Sequence, residues 1–206
     1  MYYPIKTPWL LKRLFPKLYW EIPQNGEKAI YLTFDDGPNP GITDWVMDQL
    51  EAFNGKGTFF CQGNRVEEFP EFFKSIKERG HQVGNHSYDH PNGWQTRNEV
   101  YFFNVDRAQH LIGTKLFRPP YGKLKISQAR HLTKEFQKVI MWDVVSGDFD
   151  VGLSNEKCLS NVTQNARSGS IVVFHDMPKA EEKLRYVLPK VLEHFASQGY
   201  HFKKID

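Results

Sequence analysis

The stretch Ala29-Ile30-Tyr31-Leu32-Thr33-Phe34-Asp35-Asp36-Gly37-Pro38-Asn39 carries a short apolar run into two adjacent carboxylates and a sharp turn. A run of that length, rich in branched and aromatic residues and closed by Gly-Pro-Asn, reads as a buried strand. Consecutive strand residues point to opposite faces, so two carboxylates survive side by side only where the strand ends and the backbone turns. There they can take different tasks, one binding a metal ion and the other moving a proton.

Runs of the same kind begin near Lys56, His81, Lys115, Lys138, Ser170 and Tyr200, with helical patterns between them. Ile42, Val46, Leu50 and Phe53 form one helical stripe, and Val187, Leu188, Val191, Leu192 and Phe195 form another. Pro70 and Pro189 fall where a first helical turn tolerates proline, while Gly80 and Gly199 read as stops after helices. Seven strands separated by helices predict an α/β fold with a parallel sheet. A closed or nearly closed β/α barrel is the first choice, and an open doubly wound parallel sheet the second.

A chain of 206 residues suits one domain. Residues 28–206 are expected to form it, with residues 1–27 as a basic, aromatic segment packed against it. The balance of 27 Lys and Arg against 24 Asp and Glu asks for no nucleic-acid partner. Cys61 and Cys158 are far apart and lack CxxC spacing, which argues against a disulfide framework or a thiolate zinc site.

The first twenty residues hold Lys6, Lys12, Arg13 and Lys17 and no acid, interleaved with Trp9, Leu10, Leu11, Leu14, Phe15, Leu18, Tyr19 and Trp20. Their uncharged runs are too short for a signal peptide or a membrane span. Packing of the aromatics on the outside of the domain is the favoured reading, and peripheral contact with an anionic membrane surface is the alternative. With no export segment visible, the compartment is left open between the cytoplasm and the membrane periphery.

In either architecture the loops at the strand C-termini converge on one face, and the polar residues cluster at those positions. Asp35 and Asp36 end the first strand, His86 and His90 follow the third, Arg118 ends the fourth, Asp148 follows the fifth, and His175 and Asp176 end the sixth. The spacing of His86-Ser87-Tyr88-Asp89-His90 would bring two imidazoles to one side of a helical turn. With one carboxylate they would make a facial ligand set that leaves positions free for water and substrate. An isolated HxxxH more often marks two hydrogen-bonded histidines, but the acidic pair on a neighbouring strand favours the metal.

His175 could be a further ligand, a proton donor to a leaving amine, or a hydrogen-bonded core histidine. Asp176 could orient a loop or cap the next helix. Arg118-Pro119-Pro120-Tyr121-Gly122 is a stiff turn. A guanidinium held there could pair with Asp35 and keep it ionised, and a backbone N–H of the turn could stabilise an oxyanion.

Taken in order, Thr33-Phe34-Asp35-Asp36-Gly37-Pro38, His86-Ser87-Tyr88-Asp89-His90, Arg118-Pro119-Pro120-Tyr121, Asp148-Phe149 and Ile171-Val172-Val173-Phe174-His175-Asp176 resemble the five motifs of the polysaccharide deacetylases. These are the NodB-homology proteins of carbohydrate esterase family 4, and the resemblance spans residues 28–206. It implies a distorted (β/α)7 barrel and metal-dependent removal of acetyl groups from N-acetylglucosamine-containing glycans such as peptidoglycan or chitin-like oligomers. It further implies Asp36, His86 and His90 as metal ligands, with zinc as the usual ion and cobalt or nickel as substitutes. Asp35 is then the general base, Arg118 its orienting partner, and the backbone N–H of Tyr121 an oxyanion donor. His175 is the general acid, held by Asp148, and Phe149 with Val173 walls the acetyl methyl pocket.

The fourth motif departs from the common family pattern, with Val145 where an Asp often stands three residues before Asp148 and Phe149 in place of Trp. Trp142-Asp143 could compensate, although Trp142 reads more simply as core and Asp143 as a structural hydrogen-bonding group. Pro119, Tyr121, Tyr88 and the loop Asn92-Gly93-Trp94 are candidates for sugar contacts. Two other functions stay open: a metal-dependent hydrolase of a small non-sugar amide, and an inactive carbohydrate-binding barrel. The second is disfavoured by the presence of Asp35, Asp36, His86, His90 and His175. Oligomeric state is not set by the sequence.

Overall fold

Every residue of β2 (Ala29–Asp35) is buried, and the strand pairs in parallel with β3 (Thr58–Cys61) on one side and β8 (Ile171–His175) on the other. The structure, a computed structural model, describes residues 3–206. Among the described residues the remaining strands are β1 (Leu18–Tyr19), β4 (Gln82–Asn85), β5 (Leu116–Phe117), β6 (Lys138–Ile140), β7 (Val144–Val145) and β9 (His201–Phe202). Their order is β1-β6-β5-β4-β3-β2-β8-β7, with β9 beside the start of β2, and every pairing is parallel. The sheet curls into a distorted (β/α)7 barrel, as predicted.

The period of two along β2 divides the molecule into layers. Ile30, Leu32 and Phe34 face outward and join a core with Val46, Met47 and Leu50 of α2 (Thr43–Ala52) and Leu184, Leu188 and Leu192 of α8 (Glu181–Ala196). Phe34 stacks between Phe59 and Phe174, with ring centroids 5.1 and 6.0 Å away. Ala29 and Tyr31 face the barrel interior with Phe60, Leu116, Ile140 and Ile171. The same alternation aims Thr33 and Asp35 inward.

The other helices are α1 (Trp9–Leu14), α3 (Gly63–Glu68), α4 (Pro70–Glu78), α5 (Asn98–Ile112), α6 (Ile126–Glu135) and α7 (Asn155–Thr163). Pro70 opens α4 as expected, and Gly80 and Gly199 follow α4 and α8 with φ of 78° and 77°. Pro189 does not mark a first turn but lies inside α8, which begins at the acidic pair Glu181-Glu182. Buried Leu184, Val187 and Leu188 before it and Val191, Leu192 and Phe195 after it pack one continuous face. That packing outweighs the lost backbone hydrogen bond.

Two strands depart from the seven expected. β7 follows β6 after only Met141-Trp142-Asp143, without a helix, and Asp148 therefore follows β7. β1 comes from the N-terminal segment and pairs with β6. The Thr7 N–H donates to Asp143 O (2.8 Å), Val145 N–H to Ile5 O (2.8 Å) and Met141 N–H to Tyr19 O (2.7 Å). Residues 5–21 thus bridge the two ends of the sheet, and Trp20 is buried there. The sequence reading counted strands by the helices between them, which β7 lacks, and β1 lies in the segment read as packing on the outside of the domain.

Arg118 follows β5 and is fully buried, its guanidinium 4.1 Å from the centre of the Phe60 ring. Its Nη1 donates to Asp35 Oδ1 (2.7 Å) and Thr33 Oγ1 (2.7 Å), and Nη2 to Met141 O (2.9 Å). The Thr33 hydroxyl in turn donates to Val172 O of β8 (2.8 Å). One cation therefore ties β5, β2, β8 and the end of β6 together across the barrel. Arg118→Met strands the Asp35 carboxylate in the interior and should lower stability by about 3–5 kcal/mol in urea unfolding. Adding Asp35→Leu should restore most of that loss, because no unpaired charge then remains.

Candidate active site

Asp35 ends β2 and Asp36 follows it with φ of 81°. This left-handed turn, unusual for a non-glycine residue, frees Asp36 from the strand alternation. Gly37 comes next because the chain passes against Asp176: a Cβ there would sit 2.1 Å from Asp176 Oδ2. The Asn39 amide donates to Asp176 O (2.7 Å) and Asp36 O (3.3 Å), tying the turn down. Asp176 thus braces the Asp36 loop and does not cap α8, whose preceding residue is Ala180. Burial, reinforced by the charge of Asp36, pushes its carboxyl up to about 8 despite the Thr43 hydrogen bond.

The His86–His90 segment is a loop rather than the helical turn its spacing suggested. Ser87 and His90 have φ of 64° and 65°, and asparagine side chains take over the backbone hydrogen bonds: Ser87 N–H donates to Asn85 Oδ1 and Tyr88 N–H to Asn104 Oδ1, both at 2.8 Å. The loop still brings the imidazole centroids to 5.0 Å. Asp36 Oδ1 lies 3.4 Å from His90 Nε2 and 3.7 Å from His86 Nε2.

Those spacings fit a small divalent cation, since ligands about 2.0–2.1 Å from a tetrahedral centre stand roughly 3.3 Å apart. The protonation states fit as well. Burial pushes His86 down to about 3, with His90 beside it adding to the effect. Burial also lowers His90, outweighing the opposing pull of Asp36. Both rings are therefore neutral near pH 7. His86 Nδ1 lies 2.8 Å from Arg118 O, a carbonyl that can only accept, so the proton sits on Nδ1 and the Nε2 lone pair is left for the ligand side.

His175 ends β8 in register with Asp35. Its Nδ1 lies 2.8 Å from Asp148 Oδ1, and its backbone N–H donates to Asp148 Oδ2 at 2.7 Å. Burial alone would lower this imidazole, but the charge and hydrogen bond of Asp148, with smaller contributions from Asp36 and Asp35, raise it to about 9. Val145 offers no charge here; the Ser146 hydroxyl donates to Asp148 Oδ1 (3.0 Å) instead. Asp143 is taken up by Lys12 and Ser170, each at 2.6 Å, and has the structural role the sequence favoured.

A cleft of about 860 Å³ opens over these groups. Asp35, Asp36, His86, His90, His175, Tyr121, Phe149 and Val173 all line it, and so does half-buried Trp142, which also packs against the inner core. Tyr121 has φ of 58° in the turn Pro120–Gly122, and its exposed ring lies 4.4 Å from that of His90. The Phe149 ring stands 5.1 Å from His175. Pro119 and Trp94 do not reach the cleft wall; Trp94 Nε1 donates to Leu124 O (3.0 Å). The Tyr88 hydroxyl points instead to Arg107 Nη2 (2.6 Å) and Glu67.

Gln62, Asn39 and Arg65 line the cleft without having been singled out in the sequence. Gln62 directly follows β3, so the strand-end rule pointed to it. Its Nε2 donates to Asp36 Oδ1 at 2.6 Å, to the same oxygen that faces both imidazoles.

Fold and site together define a parallel β/α-barrel protein with a cluster of carboxylates and imidazoles at the strand C-terminal rim. The family model for polysaccharide deacetylase matches residues 23–137. A peptidoglycan-N-acetylglucosamine deacetylase of Bacillus cereus is 32% identical over 205 residues, covering 96% of each chain. Another of that name from Bacillus cereus is 31% identical over 180 residues, and the present chain spans 84% of itself and 65% of that relative. Among solved structures, a peptidoglycan N-acetylglucosamine deacetylase in complex with 4-naphthalen-1-yl-N-oxidanyl-benzamide superposes with a TM-score of 0.87 at 28% identity, covering 97% of this chain and 95% of that one. The chain belongs to the polysaccharide deacetylase family, carbohydrate esterase family 4.

The His175–Asp148 pair is directly measurable. NMR titration should find His175 protonated until about pH 9. In Asp148→Asn the raising charge is gone and burial remains, so the ring should lose its proton at lower pH.

Proposed function

We propose that the protein hydrolyses the acetamide of N-acetylglucosamine-containing glycans, with peptidoglycan as the first candidate substrate. The observation that carries this reading is the division of the carboxylate pair: Asp36 faces His86 and His90, whereas Asp35 is held by Arg118. Asp36, His86 and His90 would hold a divalent cation, zinc by its donor set. When bound, it would supply the Lewis acidity that polarises the acetamide carbonyl and lowers the pKa of water.

Asp35 has one oxygen, Oδ1, engaged by Arg118, while Oδ2 lies 3.9 Å from His86 Nε2 on the cleft side. Oδ2 is the base that takes the proton of the attacking water, and the guanidinium fixes its orientation. The backbone N–H of Tyr121, held by the two prolines before it, donates to the oxyanion of the tetrahedral intermediate. His175 then protonates the departing sugar amine. Its protonated state near pH 7 suits an acid, and Asp148 keeps the proton available on the face turned to the cleft.

Phe149 and Val173 form the wall against which the acetyl methyl rests. Phe149 covers less area than the tryptophan common in the family, so contact with the methyl is looser there. A cleft of about 860 Å³ lies near the top of the size range of small-molecule sites. It is larger than a small amide fills and leaves room for a sugar unit and its neighbours.

Acetate release from N-acetylglucosamine oligomers and from peptidoglycan, together with metal content of the purified protein, tests the scheme. Asp35→Asn should retain metal and lose about 10²-fold or more in kcat. Asp36→Asn should lose both metal and turnover. Wild-type protein that binds metal yet releases no acetate from any glycan would refute the substrate class. On the alkaline side, kcat should fall as His175 loses its proton near pH 9, and this limb should move to lower pH in Asp148→Asn.

A further inference from the structure

Helix α1 turns its charge inward and its apolar side chains outward. Lys12 donates to the fully buried Asp143 (2.6 Å) and to Glu21 (2.7 Å). Trp9, Leu10 and Leu14 are 70%, 53% and 63% exposed, and no residue of the helix is buried. At about 100° per residue, Trp9, Arg13, Leu10 and Leu14 share one outward arc away from Lys12. Leu11 and Phe15 extend the apolar patch, each on the edge of exposure.

A helix of six residues is not stable in water by itself. This one is held by the Lys12 ion pairs and by the sheet contacts on either side of it, not by burial of its own apolar face. An exposed patch of Trp, Leu and Phe anchored in this inverted sense marks a contact surface.

Its charge identifies what it contacts. Residues 1–20 contain four cations and no acid. Lys6 pairs with Asp143 and Lys12 with Asp143 and Glu21, whereas Arg13 and Lys17 are exposed and make no ion pair among the described residues. A second copy of the chain on this face would set like charges against each other. A convex six-residue helix also offers no groove for an acidic peptide. Apolar side chains, an exposed Trp and uncompensated cations on one surface suit the boundary between lipid headgroups and acyl chains.

We propose that α1 and its flanking residues form a docking surface for an anionic lipid bilayer. Trp9, Leu10 and Leu14 enter the headgroup boundary, and Arg13 and Lys17 lie among the anionic headgroups. Leu11 of the same helix lines the active-site cleft, so docking holds the cleft beside the membrane surface. The surface stands independently of the reaction catalysed.

The test is co-sedimentation of the full chain with vesicles of mixed phosphatidylcholine and phosphatidylglycerol, against phosphatidylcholine alone. Binding is expected to the mixed vesicles and to weaken with salt. The pair Arg13→Gln and Lys17→Gln should bind about thirtyfold more weakly. Trp9→Ser, Leu10→Ser and Leu14→Ser combined should abolish sedimentation while the melting temperature changes little, since more than half of each residue is exposed and none belongs to the core. Absence of binding to the mixed vesicles, or equal binding to neutral ones, would overturn the proposal. So would a dimer, seen by light scattering without lipid, that the triple substitution dissolves.

Discussion

A single buried ion pair sits at the centre of this molecule. Arg118 is fully buried and Asp35 is open only at the edge that lines the cleft, so each charge is tolerable only because the other is present. Three further guanidinium hydrogens go to Thr33 and to the Ile140 and Met141 carbonyls at the end of β6, and Thr33 passes the connection on to β8. The barrel interior is therefore organised around a charge that must be fully satisfied. The same constraint delivers an oriented carboxylate to the cleft, and the Arg118 carbonyl orients His86. Stability and the geometry of the candidate site share one set of bonds.

Around that centre, backbone departures from regular structure aim the side chains. Asp36, Ser87, His90 and Tyr121 all have left-handed φ, and all lie on the rim at or beside the site. Such conformations cost energy for non-glycine residues and persist where surrounding bonds over-determine them. Here Asn39, Asn85 and Asn104 provide those bonds. The electrostatics then separates three histidines in one cleft: burial keeps His86 and His90 neutral, and Asp148 keeps His175 charged.

Seven of the nine strands among the described residues were legible as short apolar runs ending in turn or polar residues, and the rim residues were legible because parallel strands send their C-termini to one face. Local pattern misled where tertiary contacts outweigh it. His86 and His90 are spaced for a helix, yet asparagine side chains capture the loop's N–H groups. Pro189 resembles a helix start, yet the apolar face packed on both sides of it carries α8 through. Trp94 looked like part of the cleft wall, but its indole bonds to Leu124 O. Gln62 carried no motif beyond its place at a strand end, and its bond to Asp36 at 2.6 Å is a tertiary contact.

By itself the sequence determined the alternation of strand and helix, the parallel sheet, and which residues reach the rim, because hydrophobic period and turn chemistry are local properties. Only the tertiary structure decided how the barrel is bridged, by residues 5–21 joining β6 to β7 through bonds between positions more than a hundred residues apart. It also decided which oxygen of Asp35 Arg118 engages and which way each imidazole faces. Those choices belong to no single segment. They are set by the need to pair every buried polar group, which several distant parts of the chain must satisfy together.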